Sequence, residues 1–317
     1  MEKTFVRKVD TLELVKAYTE GSFFKDVLKV QAEILKGLRK SLEDKGFLEM
    51  LPIMISPITD PLNHPVFDAD IDYYGQKFSV TKSMILHKQI ATLVHDKVYI
   101  VSPNLRLETE DCYKSGRHLI EFVQVDMEMA GASREDVMDI MEDAIIFTLK
   151  SIKEKFPDII EKYHKGIVIP EKPFKKYRVL EVKEKFGEGY EKILSELSEE
   201  PFWLIDIPIM DREFYDRQDK EHPEVLLDFD LIFPEGFGEG ISGGEREDNY
   251  EQILMRMDKK GTSREAYSEY LKLAKEGLIK KTAGCGIGVE RFTRWVLGLE
   301  HVEKSRLFAK APGKHSI

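Results

Sequence analysis

The sequence predicts an α+β fold in which an antiparallel sheet is flanked by helices. Apolar and polar residues alternate in two runs between residues 97 and 130, and a polar loop joins the runs, which is typical of an antiparallel strand pair. Residues 24–42 and 134–152 instead place apolar side chains at helical spacing. Two further apolar runs, at residues 202–208 and 228–231, have the length and composition of buried strands.

Length and composition limit the class of protein. A chain of 317 residues with 42% hydrophobic residues can bury a large core, and no repeat or linker-like tract divides it, so we expect one domain over residues 1–317. Cys112 and Cys285 are too few for a disulfide framework or a metal cluster. The chain begins without the apolar core of a signal peptide and has no membrane-length apolar run, so we expect a cytoplasmic protein. Its net charge of −10 argues against nucleic acid as the chief ligand, and tRNA is not expected as a partner.

The first predicted elements are a helix, a strand and an acidic loop. The helix over residues 24–42 stops before Gly46, and residues 47–55 are strand-like but interrupted by Pro52. Residues 56–75 form a loop rich in Pro and Asp. Its alternating aspartates lack the glycine and terminal glutamate of a calcium-binding loop, so we interpret it as a solvated acidic loop.

The predicted strand pair carries the first candidate site. Arg106 and Glu108 share one face of the first strand, and Phe122 and Asp126 lie across from them on the second. This combination suits a planar, anionic ligand. The joining residues 109–118 are too polar for a core and too numerous for a tight hairpin, so we expect a mobile loop. The alternative is a solvated hairpin with an ordinary cross-strand ion pair.

Two glycine-rich segments supply further candidates. Residues 236–244 hold five glycines in nine positions, and Glu239, Ser242 and Arg246 lie among or just after them. Such glycines allow close approach of a ligand, and an oxygen pair beside phosphate suits Mg²⁺; a flexible loop with incidental charges is the alternative. Residues 282–291 predict a glycine strand that runs into a helix whose first turn offers Arg291 and free backbone donors to an anion. Neither a Walker loop nor a dinucleotide fingerprint is present there.

The remaining segments are assigned packing roles. Ser133 to Asp136 fit an N-terminal capping box for the helix that follows. Residues 157–200 are charged and interrupted by glycine, and they indicate no more than a helix or two.

Taken together and in order, these segments resemble the class II aminoacyl-tRNA synthetases of the aspartyl and asparaginyl type. Residues 24–55 resemble motif 1, residues 106–122 motif 2 and residues 282–291 motif 3, while residues 233–248 resemble a segment of archaeal-type asparaginyl-tRNA synthetases. Residues 78–89 are similar to the Gln-Ser-Pro-Gln-Leu-Tyr-Lys-Gln segment of aspartyl enzymes: Ser83, Leu86, Lys88 and Gln89 match, while Met84 and Ile85 depart from it. The resemblance implies an antiparallel class II sheet flanked by helices and, through motif 1, a homodimer.

The same resemblance implies which ligand each of these residues would bind. Arg106, Arg291 and Glu239 would be catalytic, with Arg291 on the γ-phosphate. Glu239 and Ser242 would bind the magnesium ion that accompanies ATP. The ATP-binding residues would be Arg106, Glu108, Arg117, His118, Leu119, Phe122, Glu239, Ser242 and Arg291, with adenine between Phe122 and Arg291. The aspartate-binding residues would be Ser83, Lys88, Gln124, Asp126 and Arg246.

Since motif 1 begins within the first few dozen residues, we expect no anticodon-binding barrel, and this organisation resembles that of the archaeal asparagine synthetases related to asparaginyl-tRNA synthetase. The expected reaction joins aspartate and ammonia with ATP, through an aspartyl adenylate, to give asparagine, AMP and diphosphate. Lys88 favours aspartate, because the asparaginyl enzymes carry an uncharged residue at the matching place. We further hypothesise that Lys88 and Arg246 grip the α-carboxylate and present the β-carboxylate to Arg106. The alternatives are a truncated synthetase that transfers aspartate to tRNA or another carrier, and a non-catalytic amino-acid-binding paralogue.

Overall fold

The computed structural model of the protein describes residues 7–315. Its helices are α1 (Thr11–Thr19), α2 (Phe23–Glu43), α3 (Ile85–Ala91), α4 (Arg134–Lys155), α5 (Pro157–Tyr163), α6 (Val179–Phe186), α7 (Tyr190–Leu197), α8 (Tyr250–Lys260), α9 (Ser268–Lys275) and α10 (Val289–Val296). Its strands are β1 (Arg7–Lys8), β2 (Leu48–Glu49), β3 (Ile55–Ser56), β4 (Val66–Phe67), β5 (Asp70–Tyr73), β6 (Gln76–Val80), β7 (Lys97–Leu105), β8 (Leu107–Glu108), β9 (Glu121–Ala130), β10 (Lys175–Arg178), β11 (Phe202–Pro208), β12 (Val225–Phe233), β13 (Gly238–Glu245), β14 (Thr282–Gly288) and β15 (Lys314–His315).

An eight-stranded sheet organises these elements, in the order β10-β11-β12-β13-β14-β9-β7-β2. The strands from β11 to β7 are antiparallel, and only the two edge pairs, β10 with β11 and β7 with β2, are parallel. The predicted antiparallel sheet flanked by helices is confirmed. The predicted strand pair lies near the middle of this sheet, where Lys97 pairs with Met129 and Leu105 with Glu121.

One face of the sheet is covered by the hydrophobic core. The apolar stripe of α2 packs there with α4 and α10, against side chains such as Val125 and Met127 of β9 and Cys285 and Ile287 of β14. Because side chains alternate along a strand, the residues between these four face the other way. The opposite face of the central strands is therefore free to carry polar groups.

Two helix predictions are confirmed in detail. Helix α2 spans Phe23–Glu43, close to the predicted residues 24–42. Helix α4 begins after Ser133, whose side chain accepts from the backbone of Asp136 while the Asp136 carboxylate accepts from the Ser133 backbone, so the capping box is present.

Several local predictions differ from the structure. The strand-like residues 47–55 form two short strands, β2 and β3, because the stretch between them contains Pro52, which cannot donate to a ladder. The predicted loop at residues 56–75 contains strands β4 and β5. The polar loop after β8 winds into a 3₁₀ helix over Glu110–Ser115. The glycine-rich residues before Arg246 are not a flexible loop, since β13 is paired on both sides within the sheet.

The charged segment at residues 157–200 is more ordered than its sequence indicated. It forms α5, α6 and α7 together with the edge strand β10. Across the described residues, no helix combines the length and apolar character needed to cross a bilayer.

Candidate active site

A cavity of about 290 Å³ opens on the polar face of the sheet, and we call it the central cavity. Cavities of roughly this size and larger hold small-molecule ligands. Its walls include every residue that the sequence analysis assigned to ATP, magnesium or aspartate: Ser83, Lys88, Arg106, Glu108, Arg117, His118, Leu119, Phe122, Gln124, Asp126, Glu239, Ser242, Arg246 and Arg291. The structure thus brings together side chains that lie up to two hundred positions apart in the sequence.

Two rows of residues cross the polar face of the sheet, and Asp126, Asp228, Ser242 and Gly286 from these rows line the cavity. In the first row, Asp230 of β12 is followed by Ser242 of β13, Gly286 of β14 and Asp126 of β9. In the second row the order is Asp228, Gly244, Gly284 and Glu128. Each row therefore has carboxylates on its outer strands and small residues on its inner strands.

The glycines are required because the carboxylates lean inward over them. A Cβ atom at Gly284 would lie 2.1 Å from Oε2 of Glu128 and 2.3 Å from the backbone oxygen of Met127. A Cβ atom at Gly244 would lie 2.0 Å from Oδ1 of Asp228. These distances are far below van der Waals contact, so no larger residue fits without moving the backbone or the acid.

We call the part of the central cavity around Lys88, Asp126 and Arg246 the amino-acid end. The sequence analysis assigned Lys88 and Arg246 to a substrate carboxylate, but in the structure these two cations are already paired with carboxylates of the protein. Lys88 is 2% exposed, and its Nζ lies 3.3 Å from Oδ1 of Asp126 and 3.5 Å from Oε2 of Glu128. Arg246 is 4% exposed and donates to Oδ1 of Asp216 at 2.8 Å and to Oε1 of Glu128 at 3.3 Å. Burial opposes the charge of Arg246, but these carboxylates outweigh burial and raise its pKa.

This end also contains acceptor atoms without a partner. Oδ2 of Asp126 and Oδ1 of Asp228 are buried and make no hydrogen bond, and both residues line the central cavity. Burial raises the pKa of Asp228 well above its usual range, and nearby Asp216 raises it further. Buried oxygens are normally paired, so these two atoms indicate a place for a donor group on a ligand.

Sequence reasoning missed several residues at this end. Arg212 donates to Oδ1 of Asp230 at 2.5 Å and lies 3.4 Å from Oδ2 of Asp228, while Asp216 accepts from Arg246. Arg212 and Asp216 come from the connection between β11 and β12, which carries no recognisable pattern. The signal for Asp228 and Asp230 was available, because two acids in an otherwise apolar strand need a polar environment.

We call the part of the central cavity around Arg106, Phe122 and Arg291 the nucleotide end, and Arg106 lies against Phe122 there. The Arg106 guanidinium carbon is 5.2 Å from the centre of the Phe122 ring, and its Nε donates to the backbone oxygen of Lys82 at 3.0 Å. Arg106 therefore lies against the ring that the resemblance assigns to adenine, and both Arg106 and Arg291 line the central cavity.

The predicted phosphate ligands are held by carboxylates. Arg291 Nη1 lies 2.9 Å from Oε1 of Glu239, and Arg117 Nη1 lies 2.5 Å from Oε1 of Glu191 on α7. Burial opposes ionisation of Glu239, but Arg291 and then Arg117 outweigh it and lower its pKa. A triphosphate would compete with both carboxylates for these guanidinium groups.

Histidine 118 is neutral in this environment. Burial and, after it, the charge of Arg291 lower its pKa to about 4. At neutral pH His118 can therefore donate a hydrogen bond to phosphate but carries no positive charge.

A pH-dependent loss of stability should follow. The folded protein keeps His118 neutral down to a pKa of about 4, whereas the unfolded chain binds a proton near the ordinary value of 6.5. The stability contribution is therefore present above about pH 6.5 and is lost as pH falls toward 4. The free energy of unfolding should therefore fall between about pH 7.5 and about pH 5, and urea unfolding at the two pH values measures this fall. In His118→Gln the fall should be smaller than in the unmodified protein by about 1–2 kcal/mol, after allowance for solvent screening. The exposed His222→Gln is the control, and an equal loss in all three proteins would refute the prediction.

The candidate magnesium ligands, Glu239 and Ser242, supply only part of a metal site. Within residues 7–315, no group of three or more His, Cys, Asp or Glu side chains is arranged to hold a metal ion. Glu239 and Ser242 nevertheless line the cavity on one strand, and Asp230 lies beside Ser242 on the next. Mg²⁺ prefers such oxygen donors and usually keeps several waters. The residues fit an ion that enters with the nucleotide, and they do not form a complete site by themselves.

The segment at residues 56–75 pairs with residues of the segment that resembles motif 2. Strand β4 pairs with β8, which places Val66 opposite Glu108. His64 Nε2 lies 3.1 Å from both carboxylate oxygens of Glu108. The carboxylate of Glu108, one of the ATP-binding residues that the resemblance implies, is thus engaged by His64.

The sheet and the layout of this cavity define the class II synthetase catalytic fold. The structure of asparaginyl-tRNA synthetase from Pyrococcus horikoshii complexed with asparaginyl-adenylate matches with a TM-score of 0.87 and 24% identity, over 95% of this chain and 72% of that one. Aspartyl-tRNA synthetase from Entamoeba histolytica matches with a TM-score of 0.73 and 25% identity, over 92% of this chain and 59% of that one.

The family follows from the sequence comparison. The family described as tRNA synthetases class II (D, K and N) matches residues 16–312, and the chain belongs to this family. Asparagine–tRNA ligase of Thermococcus gammatolerans is 28% identical over 304 residues, covering 91% of this chain and 69% of that protein. Asparagine–tRNA ligase of Pelotomaculum thermopropionicum is 28% identical over 300 residues, covering 90% and 68%.

These findings confirm the predicted family at the level of the class II ligases. They do not support the expectation that tRNA is excluded as a partner, because the relatives named above are tRNA ligases. The narrower assignment to asparagine synthetases and the homodimer stay predictions.

Proposed function

We propose that this chain uses ATP to convert aspartate into an aspartyl adenylate. The observation that carries the proposal is the charge arrangement of the central cavity, where guanidinium groups lie at one end and closely paired cations and carboxylates at the other. The first end suits a triphosphate, and the second suits the carboxylate and ammonium of a free amino acid. A single cavity would hold the two reactants next to each other.

The nucleotide end would act through its arginines. Arg106 would bridge the attacking carboxylate and the α-phosphate, which places positive charge where negative charge develops in the transition state. Arg291 would leave Glu239 for the γ-phosphate, and Arg117 would bind the departing pyrophosphate. A magnesium ion bound with ATP through Glu239 and Ser242 would neutralise further phosphate charge.

The amino-acid end favours the orientation in which the α-carboxylate and α-ammonium enter first. Three cations, Lys88, Arg212 and Arg246, face five carboxylates there: Asp126, Glu128, Asp216, Asp228 and Asp230. A lone substrate carboxylate would have to displace one of these acids from its cation. A zwitterionic head instead brings an ammonium to the free oxygens of Asp126 and Asp228 and a carboxylate to Lys88 and Arg246, so the charges stay balanced. The β-carboxylate would then reach Arg106.

Ammonia is the acceptor that we propose for the adenylate, and the product would be asparagine. The net charge of −10 and the acidic amino-acid end suit a small cation better than a polyanion. Transfer to tRNA is the second candidate, and the names of the relatives favour it.

One set of assays separates the two acceptors. Aspartate-dependent exchange of pyrophosphate into ATP measures adenylate formation alone. Incubation with ATP, aspartate and ammonium should then give AMP and asparagine in equal amounts, and parallel reactions with tRNA in place of ammonium test aminoacylation. We expect exchange and asparagine formation with aspartate as substrate.

Each result has a distinct meaning. Exchange without asparagine, but with aspartate or asparagine attached to tRNA, would establish the second candidate. No exchange with either amino acid would contradict the adenylation proposal itself. Aspartate bound with its β-carboxylate against Lys88 in a crystal structure would contradict the proposed orientation.

A further inference from the structure

A second cavity, which we call the side cavity, meets the central cavity at the loop before β4. Leu62, Asn63, His64 and Glu213 line both cavities. The side cavity is otherwise lined by residues that the ATP and aspartate assignments do not use, including Lys82, Lys260 and Thr262. The junction therefore offers a small molecule an approach to the reacting groups that does not cross the nucleotide end.

Glu213 is the carboxylate at this junction, and it has no role in the adenylation step. It is 5% exposed, and its Oε1 lies 3.5 Å from Nζ of Lys260 on α8. Its backbone oxygen accepts from Nη2 of Arg256 at 2.7 Å, and Arg256 also donates to the backbone oxygen of Ile209, so the main chain is fixed at this position. A buried glutamate that borders two cavities without a bidentate partner is available to a ligand.

The charges that face Glu213 come from several elements. Burial raises the pKa of its carboxyl group, Lys260 opposes that rise, and Asp60 and Asp216 add to it. The titratable and charged groups around it are Lys260 and Arg256 of α8, Asp60 and His64 of the segment before β4, Arg212, Tyr215 and Asp216 of its own connection, and Tyr267 before α9. Both acids and cations thus surround the Glu213 carboxyl group, and burial is the main reason that its pKa is raised.

We propose that the side cavity admits ammonium to the adenylate and that Glu213, at the junction of the two cavities, accepts the proton that ammonium must lose. This inference rests on the proposed function with ammonia as acceptor. The chemistry requires such a group, because only uncharged ammonia has the lone pair that attacks a carbonyl carbon. A buried carboxylate attracts the cation and then takes its proton.

Ammonium loses two protons as it becomes the amide nitrogen of the product. Ammonium gives one proton to the Glu213 carboxylate and becomes ammonia. The nitrogen lone pair forms the C–N bond to the acyl carbon of the adenylate, the C–O bond to AMP breaks, and its electron pair leaves on the AMP phosphate. The nitrogen then releases one further proton to water, which leaves the amide, and Glu213 returns its proton to solvent through the side cavity.

The test is Glu213→Gln in the full chain, with three readouts. Pyrophosphate exchange with aspartate should stay at the level of the unmodified protein, which also shows that the variant folds and binds both substrates. Asparagine formation from ammonium near pH 7 should fall by about 100-fold, the contribution of a typical general base. The deficit should shrink as pH rises, since solvent then supplies more free ammonia.

Hydroxylamine provides the decisive comparison because it is largely uncharged at neutral pH and needs no base to become a nucleophile. Formation of the hydroxamate should be the same in Glu213→Gln and in the unmodified protein. The matched control is Glu251→Gln, an exposed glutamate on the first turn of α8, which should leave all three readouts unchanged.

The outcomes separate the two proposals. Normal exchange with an equal loss of ammonium and hydroxylamine reactions would overturn the role of Glu213 as proton acceptor. Normal exchange with no loss of either reaction would do the same. An absence of exchange in the unmodified protein would refute the proposed function, whatever the variant does.

Discussion

Replacing Arg106 with alanine should reduce aspartate-dependent pyrophosphate exchange by about 10²–10³-fold, the usual cost of removing one preorganised donor from a transition state. Arg106 lies at the nucleotide end of the central cavity, where its Nε donates to the Lys82 backbone oxygen and its guanidinium group lies over the Phe122 ring. In the proposed reaction it bridges the substrate carboxylate and the α-phosphate. The loss should appear mainly in kcat, because the interaction strengthens in the transition state.

A lysine at the same position separates charge from geometry. Arg106→Lys keeps the positive charge but loses the planar fork that binds two oxygens at once, so we expect it to recover only a small part of the activity. Arg178→Ala on the edge strand β10, whose side chain is 58% exposed, serves as the control and should exchange normally. Full activity of Arg106→Ala would remove the basis for the proposed adenylation step.

Replacing Arg246 with leucine should destabilise the protein by about 3–5 kcal/mol, because it leaves buried charges without their partner. Glu128 and Asp216 would both lose the guanidinium group, and the backbone oxygen of Gly284 would lose a donor. Urea unfolding at neutral pH measures this change as a shift of the midpoint, and an unchanged m-value would show that the two states kept their compactness.

An exposed ion pair gives the matched control for this prediction. Arg264 on the surface donates to Asp258 through Nε at 3.0 Å, and both side chains are about half exposed. Arg264→Leu should cost less than about 1 kcal/mol, since solvent screens the pair. Similar losses in the two variants would show that Arg246 is not part of a buried charge network.

The elements with a strong period could be predicted from the sequence. Helices α2 and α4 each bury a continuous apolar stripe, and the alternation in β7 and β9 follows directly from one core-facing and one cavity-facing side. The glycine strand followed by Arg291 could also be predicted, because glycines in a strand indicate that a ligand or another segment of backbone lies close to it.

What could not be predicted depends on contacts between distant segments. The sequence identified Lys88 and Arg246 as cations, but their neutralisation by Asp126, Glu128 and Asp216 exists only once α3, β9, the end of β13 and the connection after β11 are brought together. Strand β10 has the sequence Lys-Lys-Tyr-Arg, which has no apolar alternation, and it is a strand only because the edge of β11 accepts it. A charged edge strand is favourable because it discourages pairing with other chains.

The glycines of β13 and β14 also determine how the range of substrates could change. Gly286 lines the central cavity, and a Cβ atom there would lie 2.5 Å from Oδ1 of Asp126, so any larger residue at this position can only narrow the compartment. Room for wider molecules would have to come from other parts of the lining, such as Ser83 and Ile85 at the start of α3. Engineering or natural divergence toward bulkier amino acids should therefore begin on that helix, with the sheet left unaltered.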